Sequence, residues 1–227
     1  MSVSSANRGL KPGVCTSTTR PSNPFTGQIV FETDTGFLRV WDGSAWDYLS
    51  QSQDTNTYLN NGGLVYITQA SWVTGSTVSV NNCFTSTYSA YRLVIRNAKH
   101  ATTAVNLLFR LRASGSDANT NYYWSRRFIP WGGAGGGDTG GSADTKIVPG
   151  IVAHTSAPGG GTIDVIDPQK NGITSVNYQG TWTQTTGESS AGSGMLNDSV
   201  SYDGFSLVAN TGNLTALQVF VYGYREA

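Results

Sequence analysis

The sequence predicts an all-β protein, a small N-terminal β-meander followed by an antiparallel, jelly-roll-like β-sandwich head. Three observations carry this. Short runs rich in Val, Ile, Tyr and Phe recur at roughly the 8 to 12 residue spacing of sandwiches and barrels. Gly, Asn-Gly and Asp-Gly turns separate them, and no stretch has the apolar period of an amphipathic helix.

The composition narrows the function. With 227 residues the chain is long enough to bury a sizeable core without staples. It carries 14 basic and 14 acidic residues, a formal charge of zero, so no long-range field draws it to nucleic acid or to an acidic membrane. Only 12% of residues are charged, against 28 glycines and 11% aromatics. That balance suits extracellular or virion β-proteins, kept soluble by neutral polar groups, better than a cytosolic enzyme. The opening residues lack the apolar stretch of a secretory signal, and no window is long enough to span a bilayer. Cys15 and Cys83 have no metal-ligand spacing; free thiols are expected, with a single disulfide as the alternative.

Residues 1–20 read as an extended polar arm bearing Arg8, Lys11 and Arg20 and no acid. Alone such an arm is expected to be disordered, and to order against a larger acidic partner. Residues 21–50 hold the meander. "GQIVFET" and "FLRVW" are extended runs joined by Asp34-Thr35-Gly36, and Asp42-Gly43 turns into a short third strand, "DYL". Three strands of this size are not stable alone in water and must bury a face against something else. Residues 51–63 form a polar linker.

The head spans residues 64–227. Its expected strands are "LVYITQA", "STVSV", "AYRLVIRNA", "AVNLLFRLRA", "YYWSRRFI", "KIVPGIVA", "TIDVID", "ITSVNYQGTW", "SYDGFSLVA" and "LTALQVFVYGYRE". Alternation places Tyr91, Leu93 and Ile95, and likewise Leu107, Phe109 and Leu111, in the core. If these two consecutive strands pair, Arg92, Arg96, Arg110 and Arg112 form a basic outer face. The segment "WGGAGGGDTGGSADTK" is too rich in glycine for a regular element and is expected to be a long surface loop, where recognition commonly resides.

Catalytic patterns are weak. Asp-Thr-Gly occurs at Asp34 and Asp138, but in unlike surroundings rather than in the matched halves of an aspartic protease. There is no Gly-x-Ser-x-Gly turn, and the glycine loop lacks the Gly-Lys-Ser/Thr ending and the helix of a phosphate cradle. His100 and His154 read as turn and strand-end residues. Asp164, Asp167, Asp198 and Asp203 are too scattered for a calcium loop. We therefore expect no enzyme activity, no cofactor and no metal.

Binding is the better expectation. Tyr122, Trp124, Trp131 and Trp182 are candidates to stack on a saccharide, since aromatic rings bring large apolar area at little entropy cost. Tyr123 and Phe128 are placed in the core.

The stretch "RPSNPFTGQIVFETDTGFLRVWDGSAW" resembles a module recurring near the N-termini of tailed-bacteriophage fibre and other minor virion proteins. The matching residues are Arg20-Pro21, Gly27-Gln28, Asp34-Thr35, Trp41, Gly43 and Trp46. "YSAYRLVIRNA", "LLFRLRASGSDANTNYYW" and "GNLTALQVFVYGYRE" resemble the sandwich heads joined to such modules. The resemblance implies a virion structural protein made in the host cytoplasm, assembling as a homotrimer and held by its N-terminal part to tail or capsid proteins. Arg8, Lys11, Arg20, Phe31, Phe37, Val40, Trp41 and Trp46 would make the attachment or trimer contacts. Two roles stay open: a tail fibre or receptor-binding protein that touches a host cell-surface saccharide, and a capsid decoration or head-fibre protein with no receptor role.

Overall fold

A computed structural model describes residues 12–49, 63–102, 104–182 and 187–225. Every regular element among them is a strand. The chain divides into two compact units, within residues 1–61 and 62–226.

The first unit is one four-stranded sheet, β1 (Gly13–Cys15), β2 (Ile29–Glu32), β3 (Leu38–Trp41) and β4 (Trp46–Tyr48), in that order. The two expected turns are present. Gly36, at φ 75°, ends the first, and Asp42 closes the second by accepting from the amides of Ser44 and Ala45 at 2.6 Å each. The arm differs from expectation. Its residues 13–15 form a fourth strand, parallel to β2 with Val14 opposite Phe31. Ser17 then anchors the chain, its amide donating to Asp34 at 2.8 Å. Local composition concealed this, because the strand exists only through main-chain bonds to a partner more than a dozen residues away.

The second unit is a sandwich of two antiparallel sheets. The larger has the order β11 (Gly137–Asp144), β10 (Tyr122–Pro130), β15 (Glu188–Leu196), β14 (Thr174–Thr181), β13 (Gly159–Ile166), β7 (Ala90–His100), β17 (Leu214–Tyr224), β5 (Leu64–Trp72). The smaller runs β12 (Val152–Ala153), β8 (Val105–Ala113), β16 (Gly204–Ala209), β6 (Thr77–Val80), with β9 (Ser116–Asp117) on β8. The core lies between them. Tyr91, Leu93, Ile163, Val165, Val219 and Val221 face Leu107, Phe109, Leu111, Phe205 and Leu207, all at 0% exposure.

Two expectations are corrected here. Strands β7 and β8 do not pair but lie in opposite sheets: the edges of β7 are taken by β13 and β17, and the chain changes sheet between His100 and Val105. The four arginines therefore form no basic face. Arg92 holds Asp164 with two 2.7 Å bonds, Arg112 pairs with Asp117, Arg110 donates to the Thr145 carbonyl, and Arg96 lies over the Phe220 ring.

The glycine-rich segment is not all loop either. After a turn at Gly132 and Gly133, residues 137–144 form the edge strand β11 against β10. Glycine is used there for close approach: a Cβ on Gly140 would sit 2.6 Å from the Trp124 carbonyl oxygen, and one on Gly141 2.4 Å from Trp124 Nε1. Strand β15, "ESSAGSGML", carries no apolar alternation and was not anticipated, yet it lies inside the large sheet. A Cβ on Gly192 would meet the Ser125 carbonyl at 2.2 Å and the Tyr178 ring at 2.8 Å.

Candidate functional site

In the first unit cross-strand register sorts the side chains. Val14, Ile29, Phe31, Leu38 and Val40 share one face; Val30, Glu32, Arg39, Trp41, Trp46 and Tyr48 share the other. The second face is internally satisfied. Glu32, fully buried, accepts from Arg20 Nε at 2.5 Å, Thr35 Oγ1 at 2.7 Å and Arg39 Nε at 3.3 Å. The Arg20 hydrogen bond outweighs the burial penalty and holds the Glu32 carboxyl below its ordinary pKa. Arg39 also stacks on the Tyr48 ring at 3.4 Å, and Trp41 packs against Trp46 at 5.6 Å.

The first face is open and largely apolar, with the exposed Asp47 opposite Val40 as its one charged residue among the described strands. Val14 is 63% and Leu38 37% exposed, with Ile29, Phe31 and Val40 half-buried between them. The expected contact residues are thus divided. Phe31 and Val40 lie on this face; Trp41 and Trp46 lie on the opposite one, where Phe37 packs edge-on against Tyr48. Arg20 is engaged by Glu32 within its own chain and keeps part of its side chain exposed. Arg8 and Lys11 lie outside the described residues.

In the sandwich the four aromatic candidates separate as well. Tyr122 has 0% exposure, and its hydroxyl accepts from the Leu111 amide at 2.8 Å and donates to the Ala118 carbonyl, so it cannot stack on a saccharide. Its neighbour Tyr123, expected in the core, points outward: alternation along β10 turns Tyr122, Trp124, Arg126 and Phe128 inward instead. Trp124 packs against the core and donates from Nε1 to Asp144 at 3.0 Å. Despite the cost of its burial, hydrogen bonds from Lys146, Trp124 and the Thr145 amide bring Asp144 to about 2.

Trp131 and Trp182 do come together, at the end of the sandwich where β10 and β14 finish and β15 begins. Trp131 is 46% exposed and donates from Nε1 to the Trp182 carbonyl at 3.0 Å. The His154 ring lies 6.4 Å from that of Trp182. Beside them Arg126 reaches Glu188 at 3.7 Å, and among the described residues the buried Arg126 Nε and Nη1 and Trp182 Nε1 have no hydrogen-bond partner. Arg126 and Glu188 were not singled out in the sequence, since nothing local marks an inward-facing arginine in "YYWSRRFI".

No protein-family model, no curated protein and no solved structure matches this chain.

The catalytic candidates are occupied locally. Asp34 accepts from the amide and hydroxyl of Ser17, and Asp138 lies 3.4 Å from Arg127 on the exposed edge. His100 is buried, with Nε2 2.9 Å from the Thr211 carbonyl. Among the described residues no group of three or more His, Cys, Asp or Glu is arranged to hold a metal. Both cysteines are free thiols, and burial pushes Cys83 up to about 12.

Proposed function

We propose that this chain is a virion structural protein of a tailed bacteriophage, fixed to the particle by its N-terminal sheet and displaying the sandwich. One observation carries the reading: the apolar face of Val14, Ile29, Phe31, Leu38 and Val40, on a sheet whose opposite face is already neutralised by its own residues. A sheet this small, open on its apolar side, has its stability completed by another polypeptide. Three copies, or one copy and a tail or capsid protein, would cover it.

In this reading the displayed head contacts a host cell-surface saccharide, with Trp131 as an exposed aromatic at the sandwich end. Capsid decoration without a receptor role is the second reading. It is favoured by the inward placement of Tyr122 and Trp124, which leaves the expected aromatic platform incomplete.

The test is incorporation. Particles assembled with V14D/L38D protein should lack the chain when purified virions are probed with antibody, while the variant still folds in solution. Incorporation at the wild-type level would overturn the attachment role.

A further inference from the structure

We infer that the outer face of the large sheet is a binding trough for an extended, uncharged polysaccharide, running along β15 between β10 and β14. This deepens the receptor part of the proposed function and rests on it, but it places the ligand on residues other than the aromatics of the sandwich end.

The relief follows from register. Along β15 the outward side chains Ser189, Ala191 and Ser193 are short. Ser193 lies between Ser125 and Asn177, Ala191 between Arg127 and Gln179, and Met195 between Tyr123 and Ser175. Over Ser189, Ala191 and Ser193 the line is low, with Arg127 and Ile129 standing on one side and Asn177 and Gln179 on the other, whereas Ser125 is as short as Ser193 and Met195 stands above Ser175. Three depressions result, of about 550, 330 and 370 Å³. The first and third share Asn177, and the second and third share Gln179 and Ala191, so they make up one row of adjoining depressions. From Tyr123 to Ile129 it is roughly 20 Å long at the rise of an extended strand. A branch crosses β14 and β13 to the Arg92–Asp164 pair.

The chemistry of the walls selects the ligand. The charges are already matched: Arg92 is held by Asp164, which also accepts from Tyr224 at 3.0 Å, and Arg127 faces Asp138. Among the described residues the exposed amides of Asn177 and Gln179 and the hydroxyl of Ser193 make no hydrogen bond. Each amide offers donors and an acceptor together, as sugar hydroxyls require. Tyr123 and Ile129, near opposite ends, give apolar surface for the faces of sugar rings. A nucleic acid would need unmatched cations, and an extended peptide would need free main-chain groups; the middle of a sheet face supplies neither.

The full chain, run through gels containing dextran, galactomannan or xyloglucan, with hyaluronate and heparin as charged probes, tests this. Retardation by at least one neutral polymer is expected. A191W, which fills the trough, and N177A/Q179A should weaken it about tenfold or more with the unfolding temperature unchanged, because the altered side chains point to solvent. Retardation by a neutral polymer that both variants leave intact would overturn the trough while leaving the receptor reading standing. Retardation by hyaluronate or heparin alone, or by none of the polymers, would overturn the neutral ligand. Attachment to the particle is judged separately by incorporation.

Discussion

Arg20 Nε donates to Glu32 Oε1 across 2.5 Å, tying the segment that follows the first strand to the hairpin twelve residues further on. This one bond links the arm to the sheet more tightly than its composition suggests. Because Glu32 is fully buried, loss of its partner leaves a carboxylate with weaker compensation, from Arg39 and the Thr35 hydroxyl.

Arg20→Ala should therefore destabilise the first unit by about 2 kcal/mol, the range of a hydrogen bond to a charged group. Amide hydrogen exchange on the assembled protein, in which the proposed partner polypeptide covers the sheet, would report it at Thr33, whose N–H donates to the Cys15 carbonyl at 2.9 Å. Protection at Thr33 should fall while the sandwich amides, such as Leu107, keep theirs.

Acid should have a similar effect. The Glu32 carboxyl is held below its ordinary pKa in the folded chain, so the unfolded chain binds the proton more readily. The stabilisation is present above the ordinary carboxylate range and is lost as pH falls through the lowered folded value. The protection of Thr33, taken relative to the intrinsic exchange rate at each pH, should fall as the pH drops through the lowered Glu32 value. In Glu32→Gln that acid-dependent component should vanish.

Gly192→Ala should destabilise the sandwich by about 2 kcal/mol, since the added methyl meets the Ser125 carbonyl at 2.2 Å, a backbone atom that cannot step aside. Chemical denaturation of the full chain checks this. Gly172→Ala, with nothing within 4 Å but a φ of 143°, separates crowding from backbone strain.

Trp131→Ala should leave the unfolding temperature within a degree or two, because the ring is 46% exposed and its hydrogen bond goes to a main-chain carbonyl at the edge. Adsorption to host cells should drop if the sandwich end touches the receptor. Unchanged adsorption would remove Trp131 from the contact.

A fragment of residues 61–227 should unfold cooperatively by itself, for its core is complete, whereas residues 1–55 should show no cooperative transition at low concentration. Circular dichroism of the two fragments decides it. A sharp transition in the short one would mean that the Glu32 cluster suffices without any covering chain.

The sequence by itself determined the fold class, the hairpin turns and which side chains of the strongly alternating strands go inside. Tyr91, Leu93, Ile95, Leu107, Phe109 and Leu111 all lie in the core as their spacing requires. The placement of β7 and β8 in opposite sheets, the strands β11 and β15 hidden in glycine and serine, and the inward turn of Tyr122 rather than Tyr123 were decided by the tertiary structure. So were the sheltering of Glu32 and the trough over β15. The physical reason is that alternation acts within one strand, through the two sides of a pleat, while the choice of neighbour depends on main-chain bonds and close approaches between segments distant in the chain. Glycine makes those approaches possible and leaves no apolar trace of them.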